Sequence, residues 1–194
     1  MEPIKILETK LSDLYKDNSC EHDLGHVLRV LKLAKTIGKK EGADLFILLP
    51  AVMLHDIALK KGTLPENNDK HAVLGSEMAK NILEECGFKE EKIDKICSTI
   101  KQHSLDNPTD EPRTIEGDCL FDADKLDSIT SCGFARYLQE QALEKNTNPL
   151  EASKIFIDFL KDFEFRTQTG KEMGRDRSEA IKFCQKIIES GELC

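Results

Sequence analysis

The sequence predicts an all-α fold, and three observations support this prediction. Apolar residues recur at spacings of three and four along most of the 194-residue chain, and no segment shows the alternation with period two that is typical of strands. The composition, with 33% charged residues and only 6 Pro, is that of a soluble helical protein. A chain of this length suits one domain, so we expect a single helical bundle over residues 1–194.

The first three predicted helices precede residue 60. A short amphipathic helix covers residues 4–16, and a second runs over residues 23–40 until Gly42 ends it. The third covers residues 43–59 and contains Pro50, which should kink or break it because proline cannot donate a backbone hydrogen bond. Its apolar run predicts that this third helix is buried.

Two more helices are predicted before residue 105. A polar loop over residues 60–68 follows the third helix, in a position that suits a lid or a substrate contact. Asp69 is a suitable N-cap for a helix over residues 69–86, which Gly87 ends. The next helix covers residues 89–104.

The rest of the chain is predicted to be helical as well. Residues 105–116 hold two prolines and read as a loop, and a helix with an acidic cluster starts at about Asp118. Residues 130–192 are helical, with a polar interruption over residues 164–177. We expect these C-terminal helices to pack on the preceding ones.

Charge and cysteine usage exclude several functions. The net charge is -8 and no basic stripe is visible, which argues against a nucleic-acid polymer or a membrane surface as partner. The seven cysteines are scattered without a Cys-x-x-Cys pair, as in proteins with reduced thiols. Residues 1–10 do not resemble a signal or transit peptide. We therefore expect a cytoplasmic protein.

The placement of the histidines predicts a metal site. His55-Asp56 ends the apolar run of the third helix, where an imidazole and a carboxylate are costly to bury without a partner such as a cation. Each histidine alone is better explained as a core residue bonded to a backbone carbonyl or as a helix-end residue. However, four of the five lie at inward positions of separate helices or at a helix mouth: His26, His55, His71 and His103.

An acidic cluster on a fifth helix completes the candidate site. Helical bundles build metal sites from side chains that several helices project into one interior point. His26, His55, Asp56 and one later aspartate meet that description. The candidates for the last position are Asp122, Asp124 and Asp127, and periodicity does not decide which of them faces the core.

The order His, His-Asp, Asp resembles the HD-domain superfamily of metal-dependent phosphohydrolases, in particular its small stand-alone bacterial and archaeal members. Three segments carry the resemblance: HDLGHVLRV at 22–30, LHDI at 54–57 and ADKL at 123–126. Directly, it covers about residues 20–130. It implies an HD-type helical bundle with the metal site in its core.

The resemblance also implies a ligand set. A first cation would be held by His26, His55, Asp56 and Asp124, with Asp124 favoured over Asp122 by the ADKL motif. His71 and His103 fall, in order, where members with two metals have two extra histidines, and Asp56 would then bridge the ions. One or two divalent ions per chain are implied, and the residues do not distinguish among Mn, Fe, Mg, Zn, Ni and Co.

The chemistry expected of such a site is hydrolysis. A bound divalent ion lowers the pKa of water toward about 7 and polarises a phosphoryl oxygen. The expected substrate is a nucleotide or another small phosphorylated metabolite, bound by a monomer or homodimer. Beside Asp56, we assign catalytic roles to His22 and Asp127. The candidates for phosphate contacts, which could equally be ordinary surface cations, are Lys60, Lys125 and Arg29.

Two other functions stay open. The resemblance with six ligands extends to mixed-valent di-iron oxygenases of the same fold, which oxidise C–H or C–P bonds. Alternatively, the metal staples a non-catalytic bundle that senses a ligand. Hydrolysis of alarmones is disfavoured, because residues 57–61 lack the acids that alarmone hydrolases place shortly after their His-Asp pair.

Overall fold

The computed structural model describes residues 2–60, 71–105 and 112–191. Within these ranges the chain is helical, with one isolated antiparallel bridge between Asn18 and Lys60, so the predicted all-α class is confirmed. None of the described helices combines the length and the apolar composition that a membrane crossing requires. The helices are α1 Glu2–Tyr15, α2 Leu24–Glu41, α3 Leu45–Leu54, α4 His71–Glu85, α5 Glu90–Lys101, α6 Ile115–Ser128, α7 Ser131–Glu144, α8 Pro149–Lys161, α9 Gln168–Met173 and α10 Arg177–Gly191.

Helix α3 lies at the centre of the bundle. Its residues are apolar on every face, and it contacts α1, α2, α4, α5 and α6. A helix that is hydrophobic all round is stable only when it is buried on most sides. The burial of α3 carries its C-terminal end, and therefore His55, into the interior.

The ends of α3 differ from the prediction. The Asp44 side chain caps the helix by accepting a hydrogen bond from the Phe46 N–H. The sequence predicts either a kink or a break at Pro50, and the helix continues across it, so there is no break: proline removes one hydrogen bond, and the packed side chains around it hold the rest of the helix. It ends at Leu54 rather than near residue 59, and His55-Asp56 lie in the following turn.

Other helix ends are as predicted or shifted by a few residues. Gly42 and Gly87 adopt left-handed conformations, with φ of 76° and 81°, after α2 and α4. Helix α5 ends at Lys101, so His103 lies just beyond it. Helix α6 starts before Asp118, because the Thr114 side chain caps it by accepting from the Gly117 N–H. The predicted N-cap Asp69 and the loop after Lys60 lie outside the described residues.

The C-terminal helices pack beside α6. Helix α7 contacts α6 and α8, and α8 contacts α10. The polar segment 164–177 is not a continuous interruption, because it contains α9 and a single 3-10 turn, Gly174–Asp176. Thr167 caps α9, and both its N–H and its hydroxyl donate to the Asp122 carboxylate. Asp122 therefore anchors the start of α9 to α6.

Candidate metal centre

Helices α2 and α6 and the turn after α3 bring the predicted first-ion residues together. His26 is in the first turn of α2, where its backbone N–H donates to the N-cap Asp23. The Nε2 atoms of His26 and His55 are 3.3 Å apart. The Nε2 of His26 is also 3.4 Å from Asp56 Oδ2 and 3.4 Å from Asp124 Oδ1. All four side chains are buried or nearly so.

The hydrogen bonds of three buried histidines leave their Nε2 atoms as acceptors. The Nδ1 atom of His26 lies 2.8 Å from Asp127 Oδ2, that of His55 lies 2.8 Å from the Val52 carbonyl, and that of His103 lies 2.6 Å from the Ile100 carbonyl. Carbonyl and carboxylate oxygens only accept, so in each neutral ring Nδ1 carries the proton. The lone pairs of these Nε2 atoms then lie close together in the interior. A cation or a shared proton is needed to offset their repulsion.

A second group of donors lies on the other side of Asp56. His71, at the start of α4, places its Nε2 3.0 Å from that of His103. His103 Nε2 is 3.5 Å from Asp56 Oδ1, whereas Asp56 Oδ2 is 3.2 Å from His55 Nε2. The two carboxylate oxygens of Asp56 therefore face different groups of imidazoles, which is the arrangement of a bridging ligand.

The spacing of these atoms fits a divalent ion. Ligands at about 2.1 Å from an ion are separated by about 3.0 to 3.4 Å in octahedral or tetrahedral geometry. The separations among His26, His55, Asp56 and Asp124 run from 3.2 to 4.0 Å. His26–His55–Asp124 and Asp56–His71–His103 each form a group that could hold a metal ion. The residues thus fit one ion at each group.

The electrostatics of the centre favour positive charge. Burial by itself lowers the pKa of His26, but hydrogen bonds with Asp124, Asp127 and Asp56 outweigh it and raise this pKa well above its ordinary value. Burial likewise acts to raise the pKa of Asp56, yet the charges of His55 and His22 hold it well below the usual range. Without a metal, protons stabilise the carboxylates, and a divalent cation can take their place.

Asp127 fixes His26 from outside the metal groups. Besides the His26 ring, its carboxylate accepts from Arg29 Nε at 2.8 Å and from Arg136 Nη2 at 2.7 Å. A carboxylate behind a metal-binding histidine sets its tautomer and orientation. Arg136 was missed by the sequence reasoning, because it lies on α7, beyond the motif segments, and a lone arginine in an amphipathic helix gives no signal.

Three further predicted site residues, His22, Lys125 and Lys60, have different contacts. His22 Nδ1 lies 2.6 Å from Asp56 Oδ2, and Lys125 donates to Asp124 Oδ2 at 2.7 Å. Lys60 donates to the Leu14 carbonyl and to Asn18 Oδ1. The phosphate contact of Lys60 stays a prediction.

A cavity of about 350 Å³ opens onto the centre. His26, Asp56, His71, His103 and Asp124 contribute to its wall. The rest of the wall includes residues of the segment before α2 and of α7 and α8 that the sequence does not single out: Glu21, Arg136, Tyr137, Glu140, Gln141 and Phe159. A small molecule can thus reach the donors.

The fold and the site define the protein as an all-α bundle with a buried His/Asp cluster that could hold divalent ions. Comparison with known proteins identifies its family. The family model described as HD domain matches residues 23–129. The chain is 35% identical over 180 residues to the uncharacterized protein YpgQ of Bacillus subtilis, which covers 88% of this chain and 84% of the relative. The chain therefore belongs to the HD-domain family.

Solved structures agree with this assignment. The crystal structure of Bacillus subtilis YpgQ in complex with ADP has a TM-score of 0.66 and 26% identity, and the match covers 95% of this chain and 97% of that one. A protein from an uncultured Thermotogales bacterium, described as a predicted HD superfamily hydrolase, has a TM-score of 0.64 and 25% identity, with coverage of 96% and 91%. The fold is that of HD superfamily hydrolases.

Proposed function

We propose that the protein is a metal-dependent phosphohydrolase that acts on a nucleotide or another small phosphorylated metabolite. The observation that carries this proposal is the convergence of histidine Nε2 atoms and aspartate oxygens at the wall of an open cavity. His26, His55, Asp56 and Asp124 would hold a first divalent ion, and His71, His103 and Asp56 a second. The bound ions would lower the pKa of water and polarise a phosphoryl oxygen.

Several side chains of the chain itself support a phosphorylated substrate. The Lys125 ammonium is next to Asp124 at the cavity wall, and the Arg136 guanidinium also lines the cavity. Arg136 Nε is buried without a hydrogen-bond partner among the described residues. These two cations would offset the charge of a phosphate, and the His22 imidazole beside Asp56 would hold or release a proton at Nδ1.

A nucleotide is the favoured substrate. The related YpgQ crystallises with ADP, and a 350 Å³ cavity is of the size that small-molecule sites have. The open cavity argues against a metal that only staples the bundle, because a structural ion has a closed ligand sphere. A di-iron oxygenase would use the same bridging arrangement at Asp56. An experiment is therefore needed to distinguish it from a hydrolase.

The test is an assay of metal-reconstituted protein. Protein stripped with a chelator is reloaded with Mn²⁺, Mg²⁺, Fe²⁺ or Zn²⁺, and release of phosphate or pyrophosphate from nucleoside di- and triphosphates is measured. We expect activity that His55→Ala and Asp124→Ala abolish, because each variant removes a donor. Asp94→Ala, on the exposed face of α5, is the matched control and should keep full activity.

Three results would contradict the proposal. Iron as the active metal, with consumption of oxygen and no release of phosphate, would favour the oxygenase. Tight metal binding without any reaction would favour the metal staple. Full hydrolysis by the His55→Ala variant would show that the activity belongs to another site.

A further inference from the structure

One part of the cavity wall, next to the metal groups, has a chemistry of its own. We call it the acidic end and define it by Glu21, Glu140 and Gln141, with the aromatic residues Tyr137 and Phe159 beside them. All five residues lie outside the segment 23–129 that matches the family model, whereas the six predicted metal ligands lie within it. The acidic end is therefore formed by parts of the chain that the family model does not cover.

The Gln141 side chain offers free hydrogen-bonding groups at the acidic end. It is 4% exposed and lines the cavity, and its amide makes no hydrogen bond within the part of the chain that the structure describes. Glu140 is 3% exposed, and its Oε2 accepts from the Glu21 backbone N–H at 3.1 Å. The Gln141 amide atoms are not among the fully enclosed polar atoms, so they face the cavity, where a ligand can donate to and accept from them.

Two carboxylates lie at the acidic end, and Arg136 and Lys145 line the same wall. Glu21, His22 and Glu140 offer ligand atoms within 4.8 Å of one another, and His22 contacts Asp56. Two carboxylates beside a phosphate would repel it, but carboxylate oxygens accept strongly from hydroxyl and amino hydrogens. The acidic end therefore suits the uncharged, donor-rich part of a phosphorylated substrate whose phosphates lie at the metal groups.

Aromatic rings form the wall beside these groups. The Tyr137 and Phe156 ring centroids are 4.9 Å apart, and those of Phe156 and Phe159 are 6.0 Å apart. Lys125 Nζ, paired with Asp124, lies 5.7 Å from the Phe159 centroid. The wall thus extends from the metal groups to the acidic end. Aromatic side chains of this kind stack on nucleobases.

We propose that the acidic end is a nucleoside subsite, in which Gln141 and Glu140 hydrogen-bond the sugar hydroxyls or the exocyclic amino group of the base and the aromatic wall contacts the base. This proposal rests on the proposed function, since it assigns the remainder of a nucleotide whose phosphates occupy the metal groups. A glutamine side chain can form two hydrogen bonds with adenine, one donated and one accepted. In other nucleotide sites, carboxylates accept hydrogen bonds from ribose hydroxyls.

The test compares two non-hydrolysable ligands. Calorimetry measures the binding of α,β-methylene-ADP and of methylenediphosphonate to Mn²⁺-loaded protein; the second ligand lacks the nucleoside. Gln141→Leu and Glu140→Gln should each weaken α,β-methylene-ADP binding about tenfold, which corresponds to one lost hydrogen bond of about 1.4 kcal/mol. Neither should change the binding of methylenediphosphonate. Glu140→Gln retains an oxygen that can accept from the Glu21 N–H.

The control is Gln139→Leu, the same substitution two residues earlier on the exposed face of α7, which should change neither ligand. The 2′-deoxy and inosine analogues distinguish contacts with the sugar from contacts with the amino group. Equal weakening of both ligands, or no weakening, would overturn the subsite, as would a wild type that binds both ligands equally well. Nucleotide binding of the expected pattern without hydrolysis would refute the proposed function alone.

Discussion

Asp127, on α6, contacts side chains of two other helices, α2 and α7. Its carboxylate contacts the His26 ring from α2, Arg29 from the same helix and Arg136 from α7. It is 1% exposed, so water does not replace these contacts. The residue thus joins the metal centre to α7, which lines the cavity.

Replacing Asp127 by Asn should weaken metal binding about 10- to 100-fold, because such outer carboxylates orient the ligand histidine. It should also reduce the free energy of unfolding by about 1–3 kcal/mol, since two arginines lose their counter-ion. Metal titration and urea unfolding measure the two effects. Asp122→Asn, on the same helix, should lower stability without changing metal affinity. The same metal affinity in wild type and Asp127→Asn would contradict this role.

We predict that His71 and His103 determine whether the centre holds one ion or two. Because their Nε2 atoms are 3.0 Å apart and face Asp56 Oδ1, either Ala variant should lower the metal content from about two ions per chain to about one. Elemental analysis of the purified variants measures the content. His22→Asn is the comparison variant and should retain the wild-type content. One ion in the wild type and in both variants would indicate a mononuclear centre.

Single-residue placement was predictable only where a helix has one buried face. Helix α2 is amphipathic, so its periodicity correctly turned His26 inward. Helix α6 contacts α2, α3, α5, α7 and α9 and buries Asp122, Asp124 and Asp127 alike, so its pattern carries no information on direction. The resemblance of the ADKL motif favours Asp124 over Asp122, and the packing shows the physical difference: Asp122 bonds Thr167, whereas Asp124 faces His26.

At the scale of elements, the close approach of α4 to α3 positions the second group of donors. Gly75 of α4 leaves so little space that an added Cβ would lie 3.1 Å from the His55 carbonyl oxygen. This contact is with backbone, which cannot rotate away. It holds the first turn of α4, and with it His71, against the turn that carries His55-Asp56.

Gly75→Val should therefore cost about 1–3 kcal/mol in the free energy of unfolding, as overpacking of a core does. It should also weaken the second ion more than the first, because α4 must move away from α3. Urea unfolding and metal titration measure these effects. Glu77→Val introduces the same side chain on the exposed face of α4 and should cost less than 1 kcal/mol. Equal costs for the two variants would contradict the packing argument.

Helix boundaries were predictable to within a few residues, except where capping or burial competes with periodicity. The α3 helix stops at Leu54 although apolar residues continue to Leu59, because the following turn directs His55 and Asp56 to the centre. Similarly, α6 starts at Ile115 since Thr114 supplies a cap within a segment that the sequence predicts to be a loop. Hydrophobic period alone does not detect either effect.

For the whole molecule, the centre couples stability to metal and to pH. The candidate ligands come from α2, α4 and α6 and from the segments after α3 and α5, so an ion at each of the two groups would together link most of the bundle. An ion at 100 times its Kd stabilises the folded state by about 2.7 kcal/mol when it does not bind the unfolded chain. Removal of metal should therefore lower the Tm. The size of this decrease should depend on how many protons bind in place of the ion.

The sign of the pH dependence follows from the histidines. Burial lowers the pKa of His22, but the charge of Asp56 outweighs it and raises the pKa to about 9. A raised pKa in the folded state stabilises the protein fully below the ordinary value of about 6.5, and this contribution is lost as the pH rises to about 9. The pKa of His26 is raised in the same direction. The depressed pKa values of Asp56 and Asp124 affect stability only at acidic pH, because both carboxylates are ionised between pH 6.5 and 9.

We therefore expect the Tm of metal-free protein to fall between pH 6.5 and 9, while the stabilisation by added Mn²⁺ grows, because fewer protons compete with the ion. Thermal unfolding with and without chelator, at four pH values in this range, measures both trends. His22→Asn removes one of the raised pKa values and should flatten the slope of the metal-free protein. A metal-free Tm that stays constant or rises over this range would show that the cluster does not hold protons in place of metal.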